Sequence, residues 1–156
     1  MVDRNAAGRE AKPAVNEVEK GAIRRFAEAI GETNPIYFEE AAARAAGYRS
    51  VVAPPTFPTT LRAASDLREG LMLSQGKHLL QAEQGFEYAR PIVAGDKLTV
   101  RSKVAGIESR PTPSGPTDVV IIEDEGRDDA GELVYRSRQL WVVRMAPKHA
   151  PGEFHE

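Results

Sequence analysis

The sequence predicts an α+β domain, and three observations carry that expectation. The first half places apolar residues at helical spacing. The second half alternates apolar and polar residues in runs separated by Gly, Pro and Asp. Helices followed by a block of strands indicate an antiparallel sheet with helical segments on one face rather than a parallel βαβ array. The length of 156 residues, 41% of them hydrophobic, suits one domain with a sizeable core.

Taken in order, residues 1–12 are small, polar and charged and read as disordered, so a single domain is expected over 13–146. From Val18 the pattern turns helical: Ile23, Phe26, Ala27 and Ile30 share one face and Arg24, Arg25 and Glu28 the other, with Gly31 placed as a stop. Asn34-Pro35 marks a turn, and a short Ala/Glu-rich helix is expected over 38–46, closed by Gly47. After an extended entry at 51–53, Pro54-Pro55 open a helix expected to run from about Pro55 through Leu67, with Phe57, Leu61 and Ala64 at helical spacing. Strands follow at 80–88, 98–104, 119–123 and 133–144. In the first of these, Leu80, Ala82, Gln84, Phe86 and Tyr88 alternate with Gln81, Glu83, Gly85 and Glu87. In the last, Leu133, Tyr135, Trp141 and Val143 share a face. Ala94-Gly95-Asp96 and Asp129-Ala130-Gly131 are turns, Arg110 to Pro116 is a Pro/Gly loop, and 147–156 reads as a flexible tail.

Composition narrows the function. Lys+Arg total 21 and Asp+Glu 23, a net charge of −2, and no basic stripe points to nucleic acid. With no cysteine, disulfides, thiolate zinc sites and thiol catalysis are excluded. No apolar run approaches the ~20 residues of a membrane helix, and the polar start does not resemble a secretory signal, so the expected setting is the cytoplasm with no membrane partner. The histidines, His78, His149 and His155, show no metal-ligand spacing, and neither metal nor cofactor is expected.

Three blocks carry a family resemblance: Ala22-Ile23-Arg24-Arg25-Phe26-Ala27, Val52-Ala53-Pro54-Pro55-Thr56-Phe57, and Phe86-Glu87-Tyr88-Ala89-Arg90-Pro91 continuing through Gly95-Asp96-Lys97-Leu98. With Gly31-Glu32-Thr33-Asn34-Pro35-Ile36-Tyr37 they resemble the MaoC-like hot-dog hydratases and dehydratases, in the FAS1-like (N-terminal MaoC-type) branch, over about residues 18–143. The chain also resembles the non-catalytic subunit of the mycobacterial (3R)-hydroxyacyl-ACP dehydratase. The resemblance implies a hot-dog fold, an antiparallel sheet wrapped around a central helix. It implies a dimer, and action on an acyl-CoA or acyl-carrier-protein thioester.

In that family the first segment reads Gly-Asp-x-Asn-Pro-x-His, whose Asp and His add or remove water across a 2-enoyl thioester. Here Glu32 stands for the Asp, Tyr37 for the His and Pro55 for a glycine of the following motif. Hydration needs a base for water, an acid for Cα and donors for the thioester oxygen as enolate charge develops. A neutral His exchanges protons near pH 7; a Tyr, with an ordinary pKa of about 10, is a poor base there. Glu32 adds a methylene, and a displacement of ~1 Å costs on the order of a hundredfold in rate. Pro55 brings no N–H, although that of Thr56 offers a partial replacement.

Each candidate therefore carries two readings. Glu32 is a surrogate base or a solvated carboxylate past a helix end. Tyr37 is a hydroxyl for substrate or water, or a packed aromatic. Asn34 orients a neighbour or makes a turn. Thr56 and Phe57 meet the thioester or cap and fill the core. Gln81, Glu83 and Gln84 line a channel or face solvent, and Arg44, Arg49 and Arg62 meet a carrier phosphate or are surface charge. Three functions remain open. The chain is a substrate-channel subunit in a heterodimer with an intact MaoC-type subunit, a homodimeric enoyl-thioester hydratase using Glu32 and Tyr37, or a non-catalytic acyl-thioester binding dimer.

Overall fold

The computed structural model describes residues 1–72 and 76–145. Strand β1 (Glu10–Glu17) is followed by helices α1 (Lys20–Ala29) and α2 (Glu40–Ala45), then strands β2 (Lys77–Tyr88), β3 (Lys97–Arg110), β4 (Thr117–Arg127) and β5 (Leu133–Met145). One-turn 3-10 helices occupy Arg4–Ala6, Pro35–Tyr37 and Phe57–Thr60. All five strands join one sheet in the order β1-β3-β4-β5-β2, and every neighbouring pair is antiparallel. The fold is α+β, as the periodicities predict.

One face of the sheet is the inner face. There Ile23 of α1, with Ala22 and Phe26, shares a core cluster with Leu98 and Val100 of β3 and Tyr135 of β5. Burial of each large apolar side chain in that cluster contributes about 1.5–3 kcal/mol relative to exposure. A second cluster, further along the same face, joins Val104, Val120, Ile122 and Trp141 to Leu67 and Leu71. The Asp129-Ala130-Gly131 turn closes the β4–β5 hairpin as expected, with Gly131 at φ 79° and its N–H donating to the Asp128 carbonyl. The expected tail at 147–156 lies outside the described residues.

Three expectations need correction. Residues 1–12, read as disordered, are not: the 3-10 turn Arg4–Ala6 packs Ala6 into the second cluster, and β1 pairs with β3 from Glu10 onward. β1 is an edge strand, so its residues alternate only weakly between buried and exposed, and Pro13 is accommodated where the register shifts between Ala11 and Ala14.

The helix expected from Pro55 through Leu67 is a single 3-10 turn, Phe57–Thr60. Beyond it the backbone bonds to β1 instead of to itself. The Arg62 N–H donates to Asn16 Oδ1 at 3.0 Å, Asn16 Nδ2 donates to the Arg62 carbonyl at 2.8 Å, and the Ala64 N–H donates to the Lys12 carbonyl at 2.9 Å. Pro58, with no N–H, and the β-branched Thr59 and Thr60 tip the local balance the same way. The helix that packs an apolar face on the inner side of the sheet is α1.

The alternation in β2 also changes phase. The register slips between Gln81 and Glu83, so Ala82 is a bulge. Gln81 opposes Trp141 and Gln84 opposes Gln139, which puts both glutamines on the inner face with Phe86 and Tyr88 and turns Leu80 away from it.

Candidate functional site

α1 ends in a Schellman motif that fixes Glu32. Gly31 sits at φ 75°, its N–H donates to the Glu28 carbonyl at 3.1 Å, and the Glu32 N–H reaches back to the Ala27 carbonyl at 2.9 Å. Asn34 then caps the 3-10 turn Pro35–Tyr37: its Oδ1 accepts from the Ile36 N–H at 3.2 Å, and Pro35 supplies a preset φ. The turn places Tyr37 back beside Glu32. Burial pushes the Tyr37 phenol above its ordinary pKa, and the nearby Glu32 carboxylate and Tyr48 push it the same way. No hydrogen bond joins Glu32 to Tyr37 among the described residues. The pair is thus a carboxylate next to a phenol that stays protonated at neutral pH.

The second half of the site follows through one backbone bond, from the Val52 N–H to the Ile36 carbonyl at 3.0 Å. Val51–Ala53 is held on its other side by 92–94, through the Ala53 N–H to the Ile92 carbonyl at 2.8 Å and the Ala94 N–H to the Val51 carbonyl at 2.9 Å. This delivers Pro54, buried, and then Pro55 and Thr56, both exposed. Phe57 turns inward and meets Phe26 of α1 edge to face at 5.6 Å, which makes it a core residue first. Its N–H is used by the Pro54 carbonyl, whereas that of Thr56 has no acceptor in the described chain, so Thr56 is the open donor of this turn. A four-residue 3-10 turn adds no appreciable dipole to it.

Tyr88, at the end of β2, closes the site from the sheet side. Its hydroxyl donates to the Pro55 carbonyl. Burial alone pushes its pKa up to about 12. Tyr88 stacks near Phe86 at 6.5 Å and Tyr135 at 6.4 Å, so an aromatic strip leads from the Pro55 turn onto the inner face. The sequence pattern puts Tyr88 in a family block and on one face with Gln84 and Phe86, as the structure has it, but gives it no role, because its bond to Pro55 joins residues 33 positions apart.

Beyond the strip the inner face turns polar. Asp124 Oδ2 accepts from Ser137 Oγ at 3.0 Å and Gln139 Nε2 at 2.6 Å, and Trp141 Nε1 donates to Gln139 Oε1 at 3.0 Å. Gln81 and Gln84 line the same cavity, and Gln81 donates to Gln84 at 2.8 Å. Glu83, on the far side of the bulge, does not line it. The three arginines considered for a carrier phosphate are all engaged. Arg44 pairs with Glu40, Arg49 with Asp96, and Arg62 bonds the Thr59 and Leu61 carbonyls. His78 lies at the start of β2, and His149 and His155 are outside the described residues. No helix among the described residues is long and apolar enough to cross a membrane.

A model of the FAS1-like dehydratase domain region matches residues 5–137. A UPF0336 protein of Streptomyces coelicolor is 39% identical over 149 residues, which cover 93% of this chain and 97% of the relative. One of Streptomyces griseus is 38% identical over the same shares. Among solved structures, the C-terminally truncated HadBC (3R-hydroxyacyl-ACP dehydratase) complex of Mycobacterium tuberculosis matches at TM-score 0.76 and 28% identity. That match covers 88% of this chain and 96% of that one. A MaoC-like dehydratase matches at TM-score 0.77 and 29% identity over 91% of this chain but 43% of that one. The fold is the hot-dog fold.

Proposed function

Since the chain belongs to the family of FAS1-like dehydratase domains, we propose that it is the substrate-channel subunit of a hydratase–dehydratase acting between (3R)-hydroxyacyl and trans-2-enoyl thioesters, with the acid–base pair supplied by a second, MaoC-type hot-dog subunit. The observation that carries this reading is the Glu32–Tyr37 pair. A phenol raised by burial and by an adjacent carboxylate holds its proton through the neutral range, so water would meet one carboxylate and no partner able to pass a proton on. What the chain retains is shape: the Schellman stop, the Asn34 cap and the Tyr88–Pro55 bond hold the two halves of the site together, and the aromatic strip offers an apolar bed for an acyl chain. The exposed Thr56 N–H, which has no acceptor in the described chain, would be open to a thioester oxygen. The likeness to one chain of the HadBC (3R-hydroxyacyl-ACP dehydratase) complex supports both the substrate class and the need for a partner.

The deciding experiment is a hydration assay on crotonyl-CoA and on a longer enoyl-CoA, run with the purified chain alone and mixed with a MaoC-type subunit bearing the Asp/His pair. The expected result is silence alone and turnover in the mixture. Turnover by the chain alone that disappears in Glu32→Gln would replace this reading with a self-sufficient homodimer in which Glu32 is the base.

A further inference from the structure

The inner face holds a polar cavity that an ordinary alkyl channel does not need. Its ≈ 130 Å³ lies under the irregular segment 58–68 and over β3, β4 and β5, between the two apolar clusters. The missing helix explains the space: a chain that bonds to Asn16 and Lys12 of β1 instead of coiling leaves the sheet uncovered here. Asp124 lines it, two residue pairs along from Gly126–Tyr135 and on the same face, beyond the aromatic strip from Tyr88. Asp124 Oδ2 is satisfied by Ser137 and Gln139, while Oδ1 accepts no bond from the described chain. Gln84 Nε2 and Ser102 Oγ, which also line the cavity, make no side-chain hydrogen bond as donors.

Charge says what fits. Arg62 and Arg68 line the cavity with Asp66 and Asp124, and Arg68 is held by Asp66 and lies 4.4 Å over the Trp141 ring. Opposite charges are balanced. An ammonium would meet two guanidiniums and a carboxylate would meet Asp124, whereas a neutral group that both donates, to Asp124 Oδ1, and accepts, from Gln84 or Ser102, finds its complement. A hydroxyl does both. The volume equals that of roughly four waters in the liquid, enough for a short hydroxylated end and not for a long tail.

We propose that this cavity is a binding site for a hydroxyl group at the far end of the acyl chain, so that the subunit selects thioesters with a polar terminus over plain alkyl ones. The proposal rests on the acyl-thioester reading above and adds a selectivity that reading does not require. Trp141 is the chain's single tryptophan, lines the cavity and bonds Gln139, so its fluorescence reports occupancy directly.

The test compares ω-hydroxyacyl-CoA with the matching unsubstituted acyl-CoA at eight, ten and twelve carbons. It uses calorimetry and Trp141 emission, on the full chain and on its mixture with a MaoC-type subunit. The expected result, for at least one length, is tenfold or tighter binding of the hydroxylated member and a saturable emission change that the plain member does not give. Asp124→Leu should erase the preference while leaving plain acyl-CoA bound as well or better. Asp124→Asn, which keeps the shape, should reduce the preference several-fold and covers the case in which the leucine variant fails to fold. Equal affinities at every length, or a preference that survives Asp124→Leu, would overturn the polar site and leave the acyl-thioester reading standing. Binding of neither compound would overturn both.

Discussion

Asp96 accepts from Arg90, from Arg49 and from the Val93 N–H at 3.0 Å, although it is 5% exposed. Burial works to raise its carboxyl, and the bonds from Arg90, Val93 and Arg49 more than offset that and hold it below the usual carboxylate range. A depressed folded pKa stabilises the fold above the unfolded value of about 3.9 and loses that contribution as pH falls through the folded one. Asp96→Asn should therefore cost stability at pH 7, by about 1–3 kcal/mol for the bonds it weakens and the Val93 N–H it strains. It should also decline less steeply than wild type as pH drops below about 4, in urea melts taken across the acid range. Tyr88→Phe isolates a different residue: it deletes only the bond to the Pro55 carbonyl. A loss of about 0.5–1.5 kcal/mol is expected in the same melts, together with weaker acyl-CoA binding as the Pro55–Thr56 turn loosens. Unchanged binding would remove Tyr88 from the site and leave it a packing residue.

Between elements, the tightest constraint is in the β4–β5 pair. Gly126 opposes Tyr135, and a Cβ at Gly126 would fall 2.2 Å from Tyr135 Cε1. The ring is fully buried against α1's cluster and has nowhere to retreat. Gly126→Ala should destabilise by about 1–3 kcal/mol through overpacking, and Tyr135→Leu in the same chain should recover part of that loss in a double-mutant cycle. Additivity of the two changes would show that the clash relaxes elsewhere. The strands around this pair were legible because period-2 runs and the Asp129–Gly131 turn are written in consecutive residues. β1 was not, because a polar edge strand, Glu10–Glu17, alternates too weakly to stand out. Neither was the fate of 55–67, which depends on Asn16, 46 residues away from the Arg62 backbone it binds. The site divides along the same line. Glu32, Asn34, Tyr37 and the Pro55–Phe57 turn lie in short motifs and could be named, whereas Asp124, Gln139, Gln84 and Trp141 come from three strands and meet only after the Ala82 bulge sets the phase of β2.

At the scale of the molecule, the two sheet edges are unequal. β1 is eight residues long, is interrupted at Pro13 and already lends Lys12 and Asn16 to the 58–68 segment, so its free edge is short and broken. β2 runs twelve residues without proline, pairs among the described residues only with β5, and carries Leu80 at 47% and Tyr88 at 38% exposure. A long unpaired edge of that kind invites a second strand. A subunit joined there would stand beside Tyr88 and the Pro55 turn, where a partner's acid–base pair must arrive if this chain shapes the channel. Pairing through β2 predicts that Leu80→Lys with Glu87→Lys, two cations placed along the seam, releases the chain from the proposed MaoC-type partner. Light scattering would then report free chain at 17.0 kDa and hydration by the mixture would fall with it. Val15→Lys, on the exposed face of the β1 edge, should leave both assembly and turnover intact. The reverse pattern, with β1 variants dissociating and β2 variants silent, would move the seam to the opposite edge, away from Tyr88. The channel would then have to be completed from within this chain.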